Sequence, residues 1–182
     1  MVFANAAMML LLISMSDHAP SNTSWNRWLL YAAVGLIVFI VDQVTKAFAL
    51  LIESRAIGLP GVITLRSVSN DGAAFSLAQG YSPVFLFIAI AVVAFLTLYV
   101  GHFRPQNKII LIGAGLIAGG ATGNALDRFL TGRVLDFISL DCIHFPIFNI
   151  ADAAITCGFA LILFIVWRNG VGALFPPVPR ES

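Results

Sequence analysis

Charge is what this chain has least of. Of its 182 residues only 10% are Asp, Glu, Lys or Arg, against roughly a quarter in a soluble domain. A water-exposed globule of this size could not be covered with so few ionised groups. Ten basic residues face nine acidic ones, for a net charge of +1, so the basic excess that nucleic-acid binders use against phosphate is missing. Low hydrophobicity is missing too: 59% of the residues are hydrophobic and 15 are Phe, which excludes a disordered chain. There are two cysteines, Cys142 and Cys157, too few for a disulfide framework. They read as unpaired small hydrophobes. What remains is an integral membrane protein of one domain.

Four stretches are long and apolar enough to span a bilayer, which takes about 20 residues: 28–52, 82–101, 109–128 and 148–167. An even number of spans puts both termini on one side. Arg27, Arg104, Lys108, Arg168 and Arg180 flank the spans on that side, and the positive-inside rule makes it the cytoplasmic one. Trp25, Trp28 and Trp167 fall at the same ends, as interfacial anchors do. Residues 1–14 are apolar but too short to span and lack the basic start of a secretory signal. Residues 15–27 read as a disordered cytoplasmic tail, and Met15 as an alternative start codon. The chain therefore divides into a cytoplasmic N-terminal segment, 1–27, a four-span domain, 28–168, and a cytoplasmic tail, 169–182. Gly58-Leu59-Pro60-Gly61 reads as a turn, and the β-branched run Val62 to Val68 as a short strand. A lone strand cannot face lipid, so it is expected at the outer interface above the helices. The fold class is an all-α membrane protein of four transmembrane helices, with a small β-strand platform and a loop on the outer face.

The few polar residues are unevenly placed. Seven of nine acidic residues fall at the outer face, in the loops or the outer ends of the spans, leaving only Asp17 and Glu181 inside. A charge at helix centre costs roughly 2.5–3.5 kcal/mol, so such groups pair or serve a function. Asp42 and Lys46 are spaced i, i+4, as are Asn124 and Arg128, with Asp127 adjacent; Asn149 and Asp152 are i, i+3. Each set shares a helix face, and mutual satisfaction that fixes packing accounts for Asp42, Lys46 and Arg128 as well as any function does. Asp136, in the outer loop, and Asp152 have no basic neighbour at helical spacing. Two carboxylates held close share one proton, so that one accepts a proton from water while the other polarises a carbonyl. Gly115, Gly119 and Gly123 recur every fourth residue of the third span, a ridge that admits a second helix.

Other chemistries find less support. His18 and His102 lie on the cytoplasmic side, leaving His144 as a partner for Ser139 or Ser69 in a triad, and no nucleophile-elbow sequence surrounds either serine. His144, Asp141 and Cys142 have no metal-site spacing, and no cofactor is expected. A transporter would place carboxylates at mid-membrane with access from both sides, whereas the cytoplasmic halves of all four spans carry no acid. A scaffold would leave Asp136 and Asp152 unexplained.

Five blocks occur in order: Asp42-Gln43-Val44-Thr45-Lys46; Asn70-Asp71-Gly72-Ala73-Ala74-Phe75; Gly119 to Arg128 (GGATGNALDR); Val134-Leu135-Asp136-Phe137-Ile138; and Phe145 to Asp152 (FPIFNIAD). Together they resemble the bacterial lipoprotein signal peptidases (signal peptidase II). The resemblance implies an aspartic endopeptidase of the inner membrane that cleaves prolipoproteins before a diacylglyceryl-modified cysteine. By motif position it makes Asp136 and Asp152 the catalytic pair. Asn70, Gly72, Asn124, Asp127, Arg128, Asn149 and Ala151 become substrate-binding or supporting residues, and the Asp42–Lys46 pair a brace between the first span and the outer strand region. It implies as partners lipid-modified signal peptides, membrane lipids and globomycin-type cyclic peptides, and no nucleic acid. The 27-residue segment before the first span departs from the family's shorter start.

Overall fold

The computed structural model describes residues 22–52, 57–59, 61–71, 81–143 and 145–175. Four helices, α1 (Asn22–Ile52), α2 (Ser82–Phe103), α3 (Lys108–Thr131) and α4 (Ile150–Asn169), are each long and apolar enough to cross a membrane. Strands β1 (Ile57–Leu59), β2 (Ile63–Asn70) and β3 (Val134–Leu140) form an antiparallel sheet in the order β1-β2-β3. A short 3₁₀ turn, Val171–Leu174, follows α4.

α3 is the axis of the bundle and packs against α1, α2 and α4. Its composition allows this. Gly115 lies against the Tyr31 carbonyl and Val34, and Gly119 against the backbone of Gly35, all on α1. A methyl group at Gly119 would fall on the Gly35 carbonyl oxygen, so the ridge read from the sequence does admit a second backbone. In lipid such packing, rather than the hydrophobic effect, holds helices together. The core on the α2 side is Tyr31, Leu96, Val100, Leu111, Ala114 and Ile117, with the Tyr31 hydroxyl sharing a 3.0 Å hydrogen bond with Thr97 Oγ1. Phe87, Phe95 and Leu98 of α2 and Leu163, Phe164 and Trp167 of α4 are exposed and face the lipid.

Helix ends follow local chemistry. α2 stops at Arg104, which takes the left-handed conformation (φ 49°) before Pro105. α3 begins at the Asn107 cap, whose side chain accepts from Ile109 N at 2.9 Å, and ends at Gly132 (φ 73°), whose N–H donates to Arg128 O. That left-handed cap turns the chain directly into β3.

Three expectations are corrected. α1 begins at Asn22, so residues 22–27 of the expected tail are helical; residues 1–21 and 176–182 lie outside the described residues. Ile57 to Leu59 form a strand rather than only a turn, with Ile57 opposite Leu65 and Leu59 opposite Ile63. Most consequentially, Asp136 lies on a strand and not in a loop. The run 134–140 pairs with β2, placing Asp136 opposite Val68 and Val134 opposite Asn70, with a register shift between Leu65 and Val68. β3 is also pinned to the start of α4: Phe148 N donates to Ile138 O (3.1 Å), and Phe137 N and Ile138 N both reach Phe148 O (3.1 and 2.9 Å). Residues 134–140 are therefore built into the sheet and tied to α4. Asp141, just beyond it, accepts hydrogen bonds from Thr64 and Ser139, and these hold its carboxyl below the ordinary carboxylate range.

Candidate active site

The C-terminal ends of α1 and α3, the N-terminal end of α4 and the sheet meet at one end of the bundle. The polar residues singled out in the sequence converge there. Asn149 is the hinge of the arrangement. As the N-cap of α4 its side-chain oxygen accepts from Asp152 N (2.9 Å), while Asp152 Oδ2 accepts from Asn149 N (3.1 Å). This reciprocal capping box explains their i, i+3 spacing. The Asn149 amide nitrogen then donates to Asp136 Oδ1 (2.7 Å) and to Asn124 Oδ1 (3.1 Å). One side chain thus ties the strand carboxylate to the helix carboxylate.

Each carboxylate is held by amides. Asp136 Oδ2 accepts from Asn70 Nδ2 at 2.8 Å, across the β2–β3 pairing. Asp152 Oδ1 accepts from Asn124 Nδ2 at 2.8 Å. Both aspartates line a cavity of about 600 Å³ together with Asn70, Asn124 and Arg128, and its remaining wall is mainly apolar, including Phe85, Phe145, Ile147, Phe148 and Ile155. Neither aspartate has a basic residue at helical spacing, and the cation that shares their cavity comes from another element: Arg128, one turn beyond Asn124 on α3. Its Nη1 donates to Asn124 O (3.3 Å), and its guanidinium lies over the Phe85 ring, 5.3 Å from the centroid.

Asp136 is 3% exposed. Burial pushes its carboxyl up to about 6, reinforced by the nearby Asp152 charge and opposed by the hydrogen bonds from Asn70 and Asn149. A carboxyl with that value still holds its proton in mildly acidic solution and releases it near neutrality. If the chemistry of the site requires that proton, kcat/KM falls as pH rises past about 6. Removing the Asn70 donor takes away a lowering influence, so Asn70→Ala moves the alkaline limb to higher pH. A pH–rate profile of the two proteins checks this, and an unmoved or acid-shifted limb contradicts it.

Beneath the cavity lies a second polar layer. Lys46 Nζ sits 2.8 Å from Asp42 Oδ2 and 2.7 Å from Asp127 Oδ2, and donates to Asn124 Oδ1 at 3.0 Å. The contact with Asp127 Oδ2 is an ion pair without hydrogen-bond alignment. Asp42 Oδ1 accepts from Ala151 N at 2.9 Å, which satisfies one of the orphan donors of the α4 N-terminus. The predicted brace is therefore redirected: Asp42 and Lys46 bind α1 to α3 and α4, and the tie from α1 to the sheet is instead Ser67 Oγ to Ala49 O (2.5 Å). Ala151 contributes a backbone donor to Asp42. Gly123 faces the Asp42 carboxylate so closely that a side chain there would displace it.

Two participants escaped the sequence reading. Gln43 donates to Asp42 and Asp127, and its signal, an amide inside a span, was the same as that of Asn124. Phe85 carries no signal among so many phenylalanines. Gly72 and His144 lie outside the described residues. Ser139, the other half of a conceivable triad, is committed to Asp141. Among the described residues no group of three or more His, Cys, Asp or Glu could hold a metal ion.

Four spanning helices with a carboxylate pair over a cavity at one end define a multi-pass membrane protein with an acidic site. The family model described as signal peptidase (SPase) II matches residues 34–168. A lipoprotein signal peptidase of Syntrophomonas wolfei is 41% identical over 140 residues, 74% of this chain and 91% of that protein. One of Anoxybacillus flavithermus is 34% identical over 150 residues, 80% of this chain and 89% of its own. A solved bacterial membrane enzyme superposes with a TM-score of 0.73 at 30% identity, covering 82% of this chain and 94% of its own. The chain belongs to the signal peptidase II family and is a peptidase.

Proposed function

We propose that this peptidase removes the signal peptide from diacylglyceryl-modified prolipoproteins, cutting before the lipidated cysteine with Asp136 and Asp152 as its catalytic pair. The observation that carries the reading is the convergence of the two buried-network carboxylates on one cavity, coupled through Asn149. One carboxylate takes a proton from water as its oxygen attacks the scissile carbonyl carbon. The other, protonated, gives its proton to the carbonyl oxygen. Collapse of the tetrahedral diol breaks the C–N bond: the cysteine amine leaves with the proton first removed from water, and a diol hydroxyl returns its proton to the other carboxylate, which restores the pair. Asn70, Asn124 and Asn149 hold the pair, Arg128 adds positive charge to the same wall, and the apolar remainder suits a substrate that is itself a lipid-anchored helix arriving from the bilayer.

In this reading the protein lies in the bacterial inner membrane, with both termini cytoplasmic and the site at the outer face. The basic residues at the far ends of the spans support that orientation. Residues 28–168 form the peptidase domain, between cytoplasmic segments 1–27 and 169–182. Globomycin-type cyclic peptides compete for the cavity.

The test is cleavage of one prolipoprotein in two forms, with and without the diacylglyceryl group, by purified protein, the product N-terminus being read by mass spectrometry. The modified form is expected to yield a new N-terminus at the lipidated cysteine, and the unmodified form to stay intact. Failure to cut the modified form, or cleavage at another bond, would refute the proposal.

A further inference from the structure

Gln43 belongs to the lower polar layer with Asp42, Lys46 and Asp127. It lies on α1 between Asp42 and Lys46, half-buried. Its amide nitrogen is 3.1 Å from Asp127 Oδ1, 3.2 Å from Asp42 Oδ2 and 3.4 Å from Gly123 O. An amide has two hydrogens and no charge, so it brings donors to two carboxylates that otherwise share a single cation. Asp127 is thereby held by both oxygens, Oδ1 on Gln43 and Oδ2 on Lys46.

The consequence is felt at Lys46. Of its three partners two are carboxylates, and only Asn124 is neutral. If the carboxylates lose their other donor, they draw the ammonium group more strongly, and the bond to Asn124 is the one with least charge to hold it. That bond fixes which way the Asn124 amide points. With Lys46 and Asn149 donating to Asn124 Oδ1, its nitrogen must face Asp152 Oδ1. Freed of Lys46, Asn124 is held at Oδ1 only by Asn149, whose nitrogen is also engaged by Asp136.

We propose that Gln43 is a positioning residue for the peptidase reaction, acting through Asp127 and Lys46 to orient Asn124 on the catalytic Asp152. The inference rests on the assignment of Asp152 to catalysis. It makes Gln43 a determinant of turnover, although it does not line the cavity.

The experiment compares wild type, Gln43→Met, Asn124→Ala and the double variant on the lipidated substrate. Met keeps the length of the side chain and removes the donor. A misaligned catalytic group costs up to about a hundredfold, so Gln43→Met is expected to lower kcat roughly ten- to a hundredfold with KM within about twofold. In the Asn124→Ala background the same change should have little further effect, since residues acting through one another are non-additive. Unchanged kcat in Gln43→Met overturns the proposal, and so does a rise in KM with kcat retained. Independent, additive losses in the double variant overturn it as well, because a contact that only stabilises the bundle gives that result. Failure of Gln43→Met to purify as a folded protein also counts against it. A wild type that cuts nothing is a different failure, because it sinks the assignment of the reaction and this inference with it.

Discussion

Asp136→Asn and Asp152→Asn are each expected to abolish cleavage, with a loss of about three orders of magnitude or more, since each removes a group that carries a proton in the transition state. The two variants should nevertheless differ in stability. Burial raises the Asp136 carboxyl to about 6 in the folded protein, above its ordinary value of 3.8. Folding therefore favours its protonated form. That contribution is fully present below about pH 3.8 and is lost as pH rises through about 6. Replacing Asp136 with a neutral amide removes the buried charge, so the melting temperature of Asp136→Asn relative to wild type should be higher at pH 7.5 than at pH 4. Its two donors are side-chain amides from Asn70 and Asn149, neither of them a fixed backbone N–H.

Asp152 offers no such freedom. Its Oδ2 accepts from the backbone N–H of Asn149, which cannot rotate, so an asparagine must present its oxygen there and its NH₂ to Asn124. Asn124 would have to reverse its amide against both Lys46 and Asn149. Asp152→Asn is thus expected to be inactive and also less stable than wild type at neutral pH. Thermal unfolding of both variants in detergent, alongside product formation, separates the two effects. Near-normal turnover in either variant would show that the catalytic pair is assigned wrongly.

These contrasts bear on what the sequence made legible. The spans were legible because each is a long apolar run with few or no charges, and the closeness of Asn149 and Asp152 because their spacing is local, although the spacing suggested a shared helix face and the structure makes Asn149 the cap that precedes the helix. β3 was not. Its residues Val134, Leu135, Phe137, Ile138 and Leu140 are apolar at both parities, so the period-two alternation that marks a half-exposed strand is absent. The bond from Asn70 to Asp136 depends on pairing between β2 and β3 with a shift in register, and no spacing within either segment encodes that. The Asp42–Lys46 pair shows the same boundary. Its i, i+4 contact was readable, whereas its third partner, Asn124, lies 78 residues away and is reached because glycines on α3 let α1 approach. Local chemistry was visible in the chain, and chemistry between elements waited on packing.

The lower layer itself yields the largest expected loss of stability. Asp42 is fully buried, and the side chain of Asp127 is 14% exposed, with Lys46 between them. The three carry one positive charge against two negative ones. Lys46→Met leaves two facing carboxylates without their cation, and removing one partner of a buried ionic set typically costs about 3–5 kcal/mol, or roughly 10 °C in melting temperature for a chain of this length. Cleavage should vanish as well, because Asn124 loses the donor that aims it at Asp152. A second change distinguishes the two consequences. Lys46→Met combined with Asp127→Asn takes away one of the uncompensated charges and is expected to recover part of the lost stability. It restores nothing to Asn124, so activity should stay absent. If Lys46→Met melts like wild type, the buried charge cluster contributes little to holding α1 on α3. If the double variant regains turnover along with stability, Lys46 acts only by neutralising Asp127, and the route from α1 through Asn124 to the catalytic aspartate is wrong.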